Sequence, residues 1–511
     1  MNVVELGDGL FRRCGDYRAL IFEDREYRST ELRSMQLRLA RGLRDLGLRP
    51  KDRVAVITPN CPEVAVTYGA VWRAGGVTVP ILFLLAAPEV RHILIDSEPT
   101  IIVTSPEFLP LVQEAGAELS PAPRLLVIGD DAPEGTESMT QVIASSDERE
   151  WMETRDPGDL SAILYTGGTT GRPKGVMLTH GGMVGVVDSI VDAAELADGK
   201  IALIALPLAH AYGIITQLVG MKVQGTAALM RWFDAEGALG LIQKYRVQNF
   251  AAVPTMLVYM LRHPEFDSHD LSSLERVGSA AAPCPIEILE EAERRFGCPV
   301  FEGYGLTEST IACCTQRPSQ PKVVGSVGKP IPNVTVKILD DGDREVPSGE
   351  LGEICIKGPN VMPGYYRMPE VTAQTVRDGW LHTGDVGKLD ADGNVYVVER
   401  KKDMIIRGGL NIYPRDVEEV LHQHPAVAEA AVVGRPDELY GEEVVAFVVP
   451  RTGEAPGAEE LIEFSRARLA KYKSPKEIYF IDSLPKSGVG KVLRRELRAR
   501  VRTGSQPAMK V

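Results

Sequence analysis

Residues 165–175 read Tyr-Thr-Gly-Gly-Thr-Thr-Gly-Arg-Pro-Lys-Gly and continue a short β-type run that begins at Ala162. Glycines allow backbone N–H groups to approach an anion closely, threonine hydroxyls donate hydrogen bonds, and Lys174 adds positive charge. The stretch therefore predicts a loop that binds a polyphosphate. It lacks the G-x-x-x-x-G-K-[ST] spacing of a Walker A loop, which disfavours motors and kinases of that type. Taken alone, the stretch also fits an ordinary turn between two strands.

On both sides of this loop, short β-type runs alternate with helical stretches. Val54–Thr58, the helical stretch Glu63–Arg73 and Val77–Ile81 precede the loop, and similar runs continue after it as far as Phe301. Such alternation is typical of parallel sheets covered by helices. A polar stretch at 147–159 separates two series, so we expect an α/β fold with two sheets, the second beginning at Ala162.

The last two hundred residues change character. Between about 325 and 398 the strands are short and broken by Pro and Gly, which predicts an antiparallel barrel or sandwich. A charged segment, 399–403, then precedes a small α+β pattern. We therefore predict a large N-terminal domain over 1–398, a hinge at 399–402 and a C-terminal domain over 403–511.

The composition narrows the class of protein. The chain has 511 residues, 44% of them hydrophobic, and a net charge of -13, which suits a soluble protein and disfavours binding to nucleic acid. Its seven cysteines include no C-x-x-C pair, so neither a disulfide framework nor a zinc site is expected, and the thiols indicate the cytoplasm. No apolar run approaches the roughly 20 residues that a transmembrane helix needs.

Two further segments carry polar groups suited to a nucleotide. Tyr304–Glu308 follows a predicted strand, where a carboxylate and a hydroxyl could meet Mg²⁺ and phosphate. Asp385, at the end of Trp380–Asp385, could hold ribose hydroxyls, and Arg400 could reach the same sugar or a phosphate. Each residue also has an ordinary interpretation, as a turn residue or a solvated charge.

Together with Glu399–Pro414 and Pro485–Arg495, these segments resemble, in order, the motifs of the adenylate-forming superfamily. That superfamily includes acyl-CoA synthetases, the adenylation domains of peptide synthetases and firefly-type luciferases. The resemblance covers nearly the whole chain. It implies a large N-terminal domain of two α/β sheet subdomains plus a β-barrel-like subdomain, and a small mobile α+β C-terminal domain. It also implies that ATP and Mg²⁺ convert a carboxylic acid to an acyl adenylate, and that coenzyme A then takes the acyl group with release of AMP and pyrophosphate.

The resemblance also implies roles for matching positions. Lys491, Glu308, Thr307 and Lys174 match catalytic residues, with Lys491 bridging carboxylate and α-phosphate, and Glu308 with Thr170 match the metal ligands. Lys402 lies at the hinge position, and Arg407, Gly408 and Gly409 match the coenzyme A tunnel. The positions matching ATP or AMP contacts are Thr166, Gly167, Gly168, Thr169, Thr170, Gly171, Ser279, Ala280, Ala281, Glu302, Gly303, Tyr304, Gly305, Thr307, Asp385 and Arg400.

The acyl pocket is expected to be mainly neutral. By position it should comprise His210, Tyr212, Gly213, Val253, Gly278, Ser279 and Gly303. No Asp stands where family members grip the α-ammonium of an amino acid, and burying an unpaired ammonium would be costly. The three glycines leave room for a chain or ring, so we expect a medium- or long-chain fatty acid, or a hydrophobic cyclic or aromatic acid. His210 fits a gate of the pocket and a structural role equally well.

Several alternatives stay open from the sequence. The phosphopantetheine arm of a carrier protein could replace coenzyme A as acceptor. Gly167, where a serine is frequent, and Asn411, where some members carry arginine, leave open an enzyme specialised for the thioester half-reaction. A luciferase-like oxygenase is the remaining alternative. Beyond the carboxylic acid and coenzyme A we expect no nucleic acid partner and no transmembrane segment, and a homodimer is left open.

Overall fold

The computed structural model describes residues 1–166, 173–451, 453–454, 456–487 and 490–503. Within these ranges the strands lie in four sheets, two of them mainly parallel and two mainly antiparallel. The strands, in chain order, are β1 (Arg18–Phe22), β2 (Arg25–Arg28), β3 (Arg53–Ile57), β4 (Val77–Ile81), β5 (Ile101–Thr104), β6 (Arg124–Val127), β7 (Glu137–Ser138), β8 (Leu160–Thr166), β9 (Lys174–Thr179), β10 (Ile201–Ile204), β11 (Thr226–Leu229), β12 (Asn249–Ala252), β13 (Arg276–Ser279), β14 (Val300–Tyr304), β15 (Cys314–Thr315), β16 (Lys329–Pro330), β17 (Thr335–Leu339), β18 (Gly352–Lys357), β19 (Val376–Arg377), β20 (Trp380–Leu389), β21 (Val395–Arg400), β22 (Ile405–Arg407), β23 (Leu410–Ile412), β24 (Val427–Asp437), β25 (Gly441–Pro450) and β26 (Glu477–Phe480).

Most of the helices cover the faces of the two parallel sheets. They are α1 (Val3–Cys14), α2 (Ser29–Asp45), α3 (Pro62–Arg73), α4 (Ala87–Ser97), α5 (Leu109–Gly116), α6 (Met139–Ser145), α7 (His180–Ala193), α8 (Ala211–Lys222), α9 (Ala235–Tyr245), α10 (Pro254–Leu261), α11 (Ile286–Phe296), α12 (Pro369–Thr375), α13 (Pro414–His422), α14 (Ala458–Arg466) and α15 (Arg494–Thr503), with short 3-10 turns at Pro106–Phe108, Phe266–Ser268 and Thr307–Ser309. Among the described helices, none combines the length and the apolar character that crossing a lipid bilayer demands.

The first sheet has the strand order β7-β6-β5-β3-β4-β8-β9. Its neighbours are parallel except for β8 and β9, which form an antiparallel hairpin in which Thr166 faces Lys174. The expectation that Ala162 opens the second sheet is wrong, because Ala162 pairs with Thr78 of β4. Local periodicity identifies a strand but contains no information about which distant strand will pair with it. The two residues that flank the undescribed part of the predicted phosphate loop, Thr166 and Lys174, therefore pair in the edge hairpin of the first sheet.

The second sheet has the order β16-β15-β14-β13-β12-β10-β11-β1-β2. Strands β10 to β14 are parallel neighbours, and Ser279 at the end of β13 pairs with Glu302 in β14. The carboxyl ends of parallel strands meet at one edge, where α/β proteins bind their ligands. The N-terminal strands β1 and β2 complete this sheet at its far edge, a pairing that the sequence analysis did not predict.

The remaining two sheets follow in chain order. Strands β17 to β21 form an antiparallel sheet in which Asp385 of β20 faces Arg400 of β21. The C-terminal sheet has the order β23-β22-β25-β24, with β26 beside β25, and α13, α14 and α15 pack on it. This arrangement confirms the predicted fold class, a large mixed N-terminal part and a small α+β C-terminal part. The proposed hinge at 399–402 comprises the last two residues of β21 and the first two residues of the turn that leads to β22.

Candidate active site

The carboxylate of Asp385 lies at the centre of the candidate site. The Tyr304 hydroxyl donates to Asp385 Oδ2 at 2.5 Å, and Arg400 Nε lies 2.6 Å from Asp385 Oδ1. Asp385 is 3% exposed, and this burial raises its pKa even though Arg400 and Tyr304 favour the charged form. The sheet register explains the pairing, since Asp385 and Arg400 are directly opposite one another. Both oxygens of a buried carboxylate are thus held in fixed positions.

A second acidic group, Glu308, stands in the short turn that follows β14. The hydroxyl of Tyr365 donates to Glu308 Oε1 at 2.9 Å, and Lys174 Nζ lies 4.3 Å from the centre of the Tyr365 ring. Thr307, which precedes Glu308, is buried at the start of the same turn. Because β9 begins at Lys174, Tyr365 contacts both a cation from the edge of the first sheet and a carboxylate that follows a strand of the second. Such a pair of opposite charges suits a metal-bound polyphosphate.

The C-terminal part supplies Lys491 to this cleft. Thr255 Oγ1 of α10 donates to the carbonyl of Gly490 at 3.0 Å, and Gly490 has a φ of +77°, a left-handed conformation that suits glycine. The Lys491 residue remains accessible to solvent. The pKa of its ammonium is lowered first because nearby protein atoms displace water from it, and second because the Arg400 cation repels it. The negative charges of Asp385 and Glu308 oppose that shift of the Lys491 pKa.

His210 caps the N-terminus of α8. Its Nδ1 accepts the backbone N–H of Tyr212 at 3.2 Å at the beginning of α8. Burial, with the Lys491 cation as second cause, lowers the pKa of His210 to about 3, so the ring is neutral at physiological pH. With Nδ1 accepting, the proton of the neutral ring is on Nε2. The geometry favours the structural interpretation of His210.

An elongated cavity of about 360 Å³ runs between the second sheet and α8. Its floor is a row of small residues on neighbouring strands, namely Ala202, Ala227, Ala251, Gly278 and Gly303. A Cβ atom built on Gly278 would meet only the Tyr212 hydroxyl, at 3.8 Å. The cavity continues past α8 to α1, where Val3 and Leu10 line it. Small side chains on one sheet face thus leave an apolar channel that leads away from the cleft.

Four of the residues predicted for the acyl pocket line this cavity, namely Tyr212, Gly278, Ser279 and Gly303. The other three predicted residues, His210, Gly213 and Val253, are not among the described residues that line the cavity. The prediction that Gly213 leaves room for substrate is wrong, because a Cβ there would lie 2.2 Å from the carbonyl oxygen of Pro207. Gly213 is therefore required by close packing of α8 on its preceding loop. The sequence could not distinguish the two uses of glycine.

Further predicted residues fall in three other places. Glu302 is buried beside the ends of β13 and β14, and burial raises its pKa to about 7. Arg407, Gly408 and Gly409 form the β22–β23 turn, where Arg407 contacts Glu443 and Tyr440 of the C-terminal part. The predicted loop residues Gly167, Gly168, Thr169, Thr170 and Gly171 lie outside the described residues. The structure therefore brings Lys491, and not the predicted coenzyme A turn, to the cleft.

Two residues with clear roles in the geometry were absent from the sequence prediction. Tyr365 orients Glu308 and contacts Lys174, and Thr255 positions the loop before Lys491. Tyr365 lies in the sequence Pro-Gly-Tyr-Tyr, which reads as a turn, and its bridge to Val176 of β9 is a tertiary contact. Thr255 lies in the first turn of α10, where its hydroxyl could equally cap or face solvent. Neither residue has a local signal.

The cleft combines a buried carboxylate beside an arginine, an acid and a lysine that contact one tyrosine, a second lysine from the small C-terminal part and, nearby, an apolar cavity. These features define a nucleotide-dependent enzyme that activates a carboxylic acid as an adenylate.

Comparisons with known proteins agree with that class. The profile of the AMP-binding enzyme family matches residues 10–366, and the profile of the AMP-binding enzyme C-terminal domain matches residues 416–491. The chain is 39% identical over 475 residues to a feruloyl-CoA synthase of Amycolatopsis sp, covering 92% of this chain and 93% of that protein. It is 35% identical to a long-chain-fatty-acid–CoA ligase of Bacillus subtilis (strain 168), with 95% and 92% coverage.

A solved structure shares the architecture. The ATP-bound crystal structure of MatB from Rhodopseudomonas palustris superposes with a TM-score of 0.90 at 33% identity, covering 98% of this chain and 99% of that one. The chain belongs to the AMP-binding enzyme family of adenylate-forming acyl-CoA synthetases.

Proposed function

We propose that the protein is an AMP-forming acyl-CoA ligase for an elongated hydrophobic carboxylic acid. The observation that carries this proposal is the position of Lys491, whose preceding residue Gly490 is held against α10 by Thr255, and whose ammonium is influenced by the Asp385 and Glu308 carboxylates. The acid carboxylate and the α-phosphate of ATP meet there. Both are anions, and the pentavalent phosphorus gains further negative charge as they react. A cation at that point stabilises the transition state more than the ground state.

Each residue of the cleft has a distinct task in this reaction. Asp385 and Arg400 form a fixed polar pair that suits the ribose hydroxyls, and Tyr304 keeps the carboxylate in place. Lys174, which contacts the same Tyr365 side chain as Glu308, would meet the β- and γ-phosphates. Lys491 bridges the attacking carboxylate and the α-phosphate. The adenylate so formed is already activated, so the thiol step mainly needs access and exclusion of water.

The residues at Glu308 fit a magnesium ion that arrives with ATP. Mg²⁺ prefers carboxylate, hydroxyl and phosphate oxygens, and Glu308 offers a carboxylate whose Oε1 is already oriented by Tyr365. Thr170 is the proposed second protein ligand. When bound, the ion would neutralise phosphate charge, while Lys174 and Lys491 would contribute further positive charge.

The cavity supports the proposed class of acid. It is apolar, extends from Gly303 as far as Val3 of α1, and has a size typical of pockets that enclose drug-sized ligands. The two curated relatives are named for a feruloyl and a long-chain fatty acyl group, both large and hydrophobic. We therefore propose a medium- or long-chain fatty acid or an extended aromatic acid, with coenzyme A as acceptor. A carrier protein is the alternative acceptor.

The test is a half-reaction assay with purified enzyme, Mg-ATP and a panel from acetate through decanoate and palmitate to arylpropenoic acids. Each acid is assayed for AMP and pyrophosphate release with and without coenzyme A. AMP release that depends on coenzyme A and on a long acid would support the proposal. Pyrophosphate release that coenzyme A does not accelerate would favour a carrier protein. Turnover restricted to acetate and propionate would contradict the substrate class.

A graded pair of substitutions connects the result to the cavity. Gly278→Ala adds one methyl group in open space, 3.8 Å from the Tyr212 hydroxyl, and should change kcat/KM little. Gly278→Leu fills the channel and should lower kcat/KM for the preferred long acid by about tenfold to a hundredfold, while acids of two or three carbons are spared. Equal losses for short and long acids would show that the cavity does not hold the acyl chain.

A further inference from the structure

Outside the cleft, one face of the antiparallel sheet gathers three metal-ligating side chains. Ile354 and Ile356 of β18 point into the apolar core, so the alternating residues Glu353 and Cys355 point to the opposite face. His382 of β20 is the direct cross-strand partner of Cys355. Side chains so paired stand on one face with Cβ atoms about 4.5–5.5 Å apart. The strand register therefore brings a thiol, an imidazole and a carboxylate together.

The distances within this cluster match those between ligands of one ion. Cys355 Sγ lies 3.4 Å from His382 Nδ1, and His382 Nδ1 lies 3.3 Å from Glu353 Oε2. Tetrahedral Zn²⁺, with bonds of about 2.0–2.3 Å, separates its ligand atoms by about 3.3–3.6 Å. All three ligand atoms lie within 4.8 Å of one another, so only a small rotation of Glu353 is needed to close the set. Cys355 is a free thiol and is buried.

At present a guanidinium group occupies the face that such an ion would use. Arg377 Nη2 lies 2.8 Å from His382 Nδ1, and Arg377 Nη1 lies 2.8 Å from Asp343 Oδ2. The Arg377 side chain is 44% exposed and can withdraw toward Asp343 at the surface. A Cys thiolate and a Glu carboxylate together carry two negative charges, which balance the two positive charges of Zn²⁺. The guanidinium of Arg377 carries only one positive charge and cannot balance both.

We propose that Glu353, Cys355 and His382 form a binding site for Zn²⁺ that competes with Arg377. Three protein ligands leave a fourth position for water, the arrangement of an open zinc site. Binding releases the proton of the Cys355 thiol to solvent and moves Arg377 away from His382 Nδ1. The absence of a C-x-x-C pair does not bear on this site, because its ligands come from two strands that only the fold joins.

The site is connected to the hinge through one backbone unit. Glu353 Oε1 accepts the N–H of Gly384 at 2.9 Å, and the carbonyl of Gly384 accepts the N–H of Lys401 at 2.8 Å. An ion bound to Oε2 would hold Glu353, and through it Gly384 and Lys401, more rigidly. Zinc occupancy is therefore expected to slow turnovers that require rotation at 399–402.

The test uses the full chain and Co²⁺ as a spectroscopic probe for Zn²⁺. Cobalt added to reduced protein should produce the thiolate charge-transfer absorption in the near ultraviolet at one equivalent, and Zn²⁺ should displace it. Cys355→Ser should remove the absorption. Cys14→Ser, which removes the more accessible thiol of α1, should leave it intact. Arg377→Ala should tighten binding about tenfold, because it removes the competing cation.

The outcomes divide clearly. A charge-transfer band that persists in Cys355→Ser, or that Arg377→Ala weakens, would overturn the proposed ligand set. Thermal unfolding of each variant shows whether it is folded, and the Arg377→Ala result holds even if Cys355→Ser proves unstable. One equivalent of Zn²⁺ should slow wild-type turnover and leave Cys355→Ser unaffected. Full binding without inhibition would overturn the connection to the hinge.

Discussion

The two parts of the active site are held in very different ways. On the N-terminal side, Asp385 is fixed through both oxygens by Tyr304 and Arg400, and Glu308 is fixed by Tyr365. On the C-terminal side, the Lys491 loop touches the large domain through the Thr255 hydroxyl, with Lys486 5.4 Å from the ring of Tyr259 nearby.

The difference indicates a division of labour. The groups that hold Asp385 and Glu308 are already in place in the N-terminal part, as electrostatic stabilisation of a bound nucleotide would require. The lysine that we propose completes the charge balance follows Gly490, which a single Thr255 hydrogen bond attaches to α10, and we propose that a rotation of the small domain releases it. The following predictions separate the fixed part from the movable part.

The largest effect is expected for Lys491→Ala. Loss of the cation that stabilises the pentavalent phosphorus should reduce adenylation at least a hundredfold to a thousandfold. Thioester formation from a synthetic acyl adenylate and coenzyme A should remain nearly unchanged, since that step starts from an activated anhydride. Pyrophosphate exchange measures the first half-reaction and thioester release measures the second.

Lys486→Ala provides the matched control for this prediction. Lys486 lies in the same segment but pairs with Glu429 at 2.6 Å. Its removal should cost adenylation much less than the removal of Lys491. Equal loss of both half-reactions in Lys491→Ala would contradict the assigned role.

Asp385→Asn should produce the next largest effect. The change keeps the shape but removes the charge that Arg400 and Tyr304 fix, and a charge-assisted hydrogen bond is worth about 1.5–3 kcal/mol. We expect a roughly 10- to 150-fold rise in KM for ATP, measured by initial rates. Asp390→Asn, which changes a surface acid that binds Asn394, should leave KM for ATP unaltered. An unchanged KM in Asp385→Asn would rule out its role at the ribose.

Alkaline pH should affect the two half-reactions unequally. The surrounding protein and Arg400 lower the pKa of Lys491, so the free enzyme loses this proton below the pH at which an ordinary lysine does. Since the protonated form is the active one, kcat/KM for adenylation should fall about tenfold per pH unit above that pKa. The rate of thioester formation should not show this decrease at alkaline pH. The same alkaline decrease in both half-reactions would show that a group other than Lys491 titrates.

Thr255→Val should give the smallest effect. It removes the hydroxyl that holds the Gly490 carbonyl and costs about 0.5–1.5 kcal/mol, or roughly a 2- to 10-fold decrease in adenylation. The Thr255–Gly490 hydrogen bond exists in the conformation that has Lys491 in the cleft, which thioester formation does not need. The rate of the thioester half-reaction should therefore not decrease. A decrease in both half-reactions of Thr255→Val would indicate damage to the N-terminal domain instead.

Particular elements show how far sequence reasoning reaches. The alternation of strands and helices predicted the parallel sheets, because buried strands and amphipathic helices have different periods that local sequence reveals. The same reasoning misplaced Ala162 and missed the pairing of β1 with β11, since partner choice depends on contacts between residues far apart in the chain. Gly213 was predicted to leave space for the substrate, whereas the structure shows that it is a glycine because the backbone of Pro207 leaves no room for a Cβ atom.

The sequence by itself determined the class of chemistry and the approximate elements, because ordered motifs and hydrophobic periodicity are written along the chain. Only the tertiary structure decided which side of the C-terminal part faces the cleft, how Tyr365 orients Glu308, where the apolar channel runs and that Cys355 meets His382. These properties arise from side chains that are distant in sequence. Their proximity depends on strand pairing and packing density across the whole domain, which no local pattern specifies.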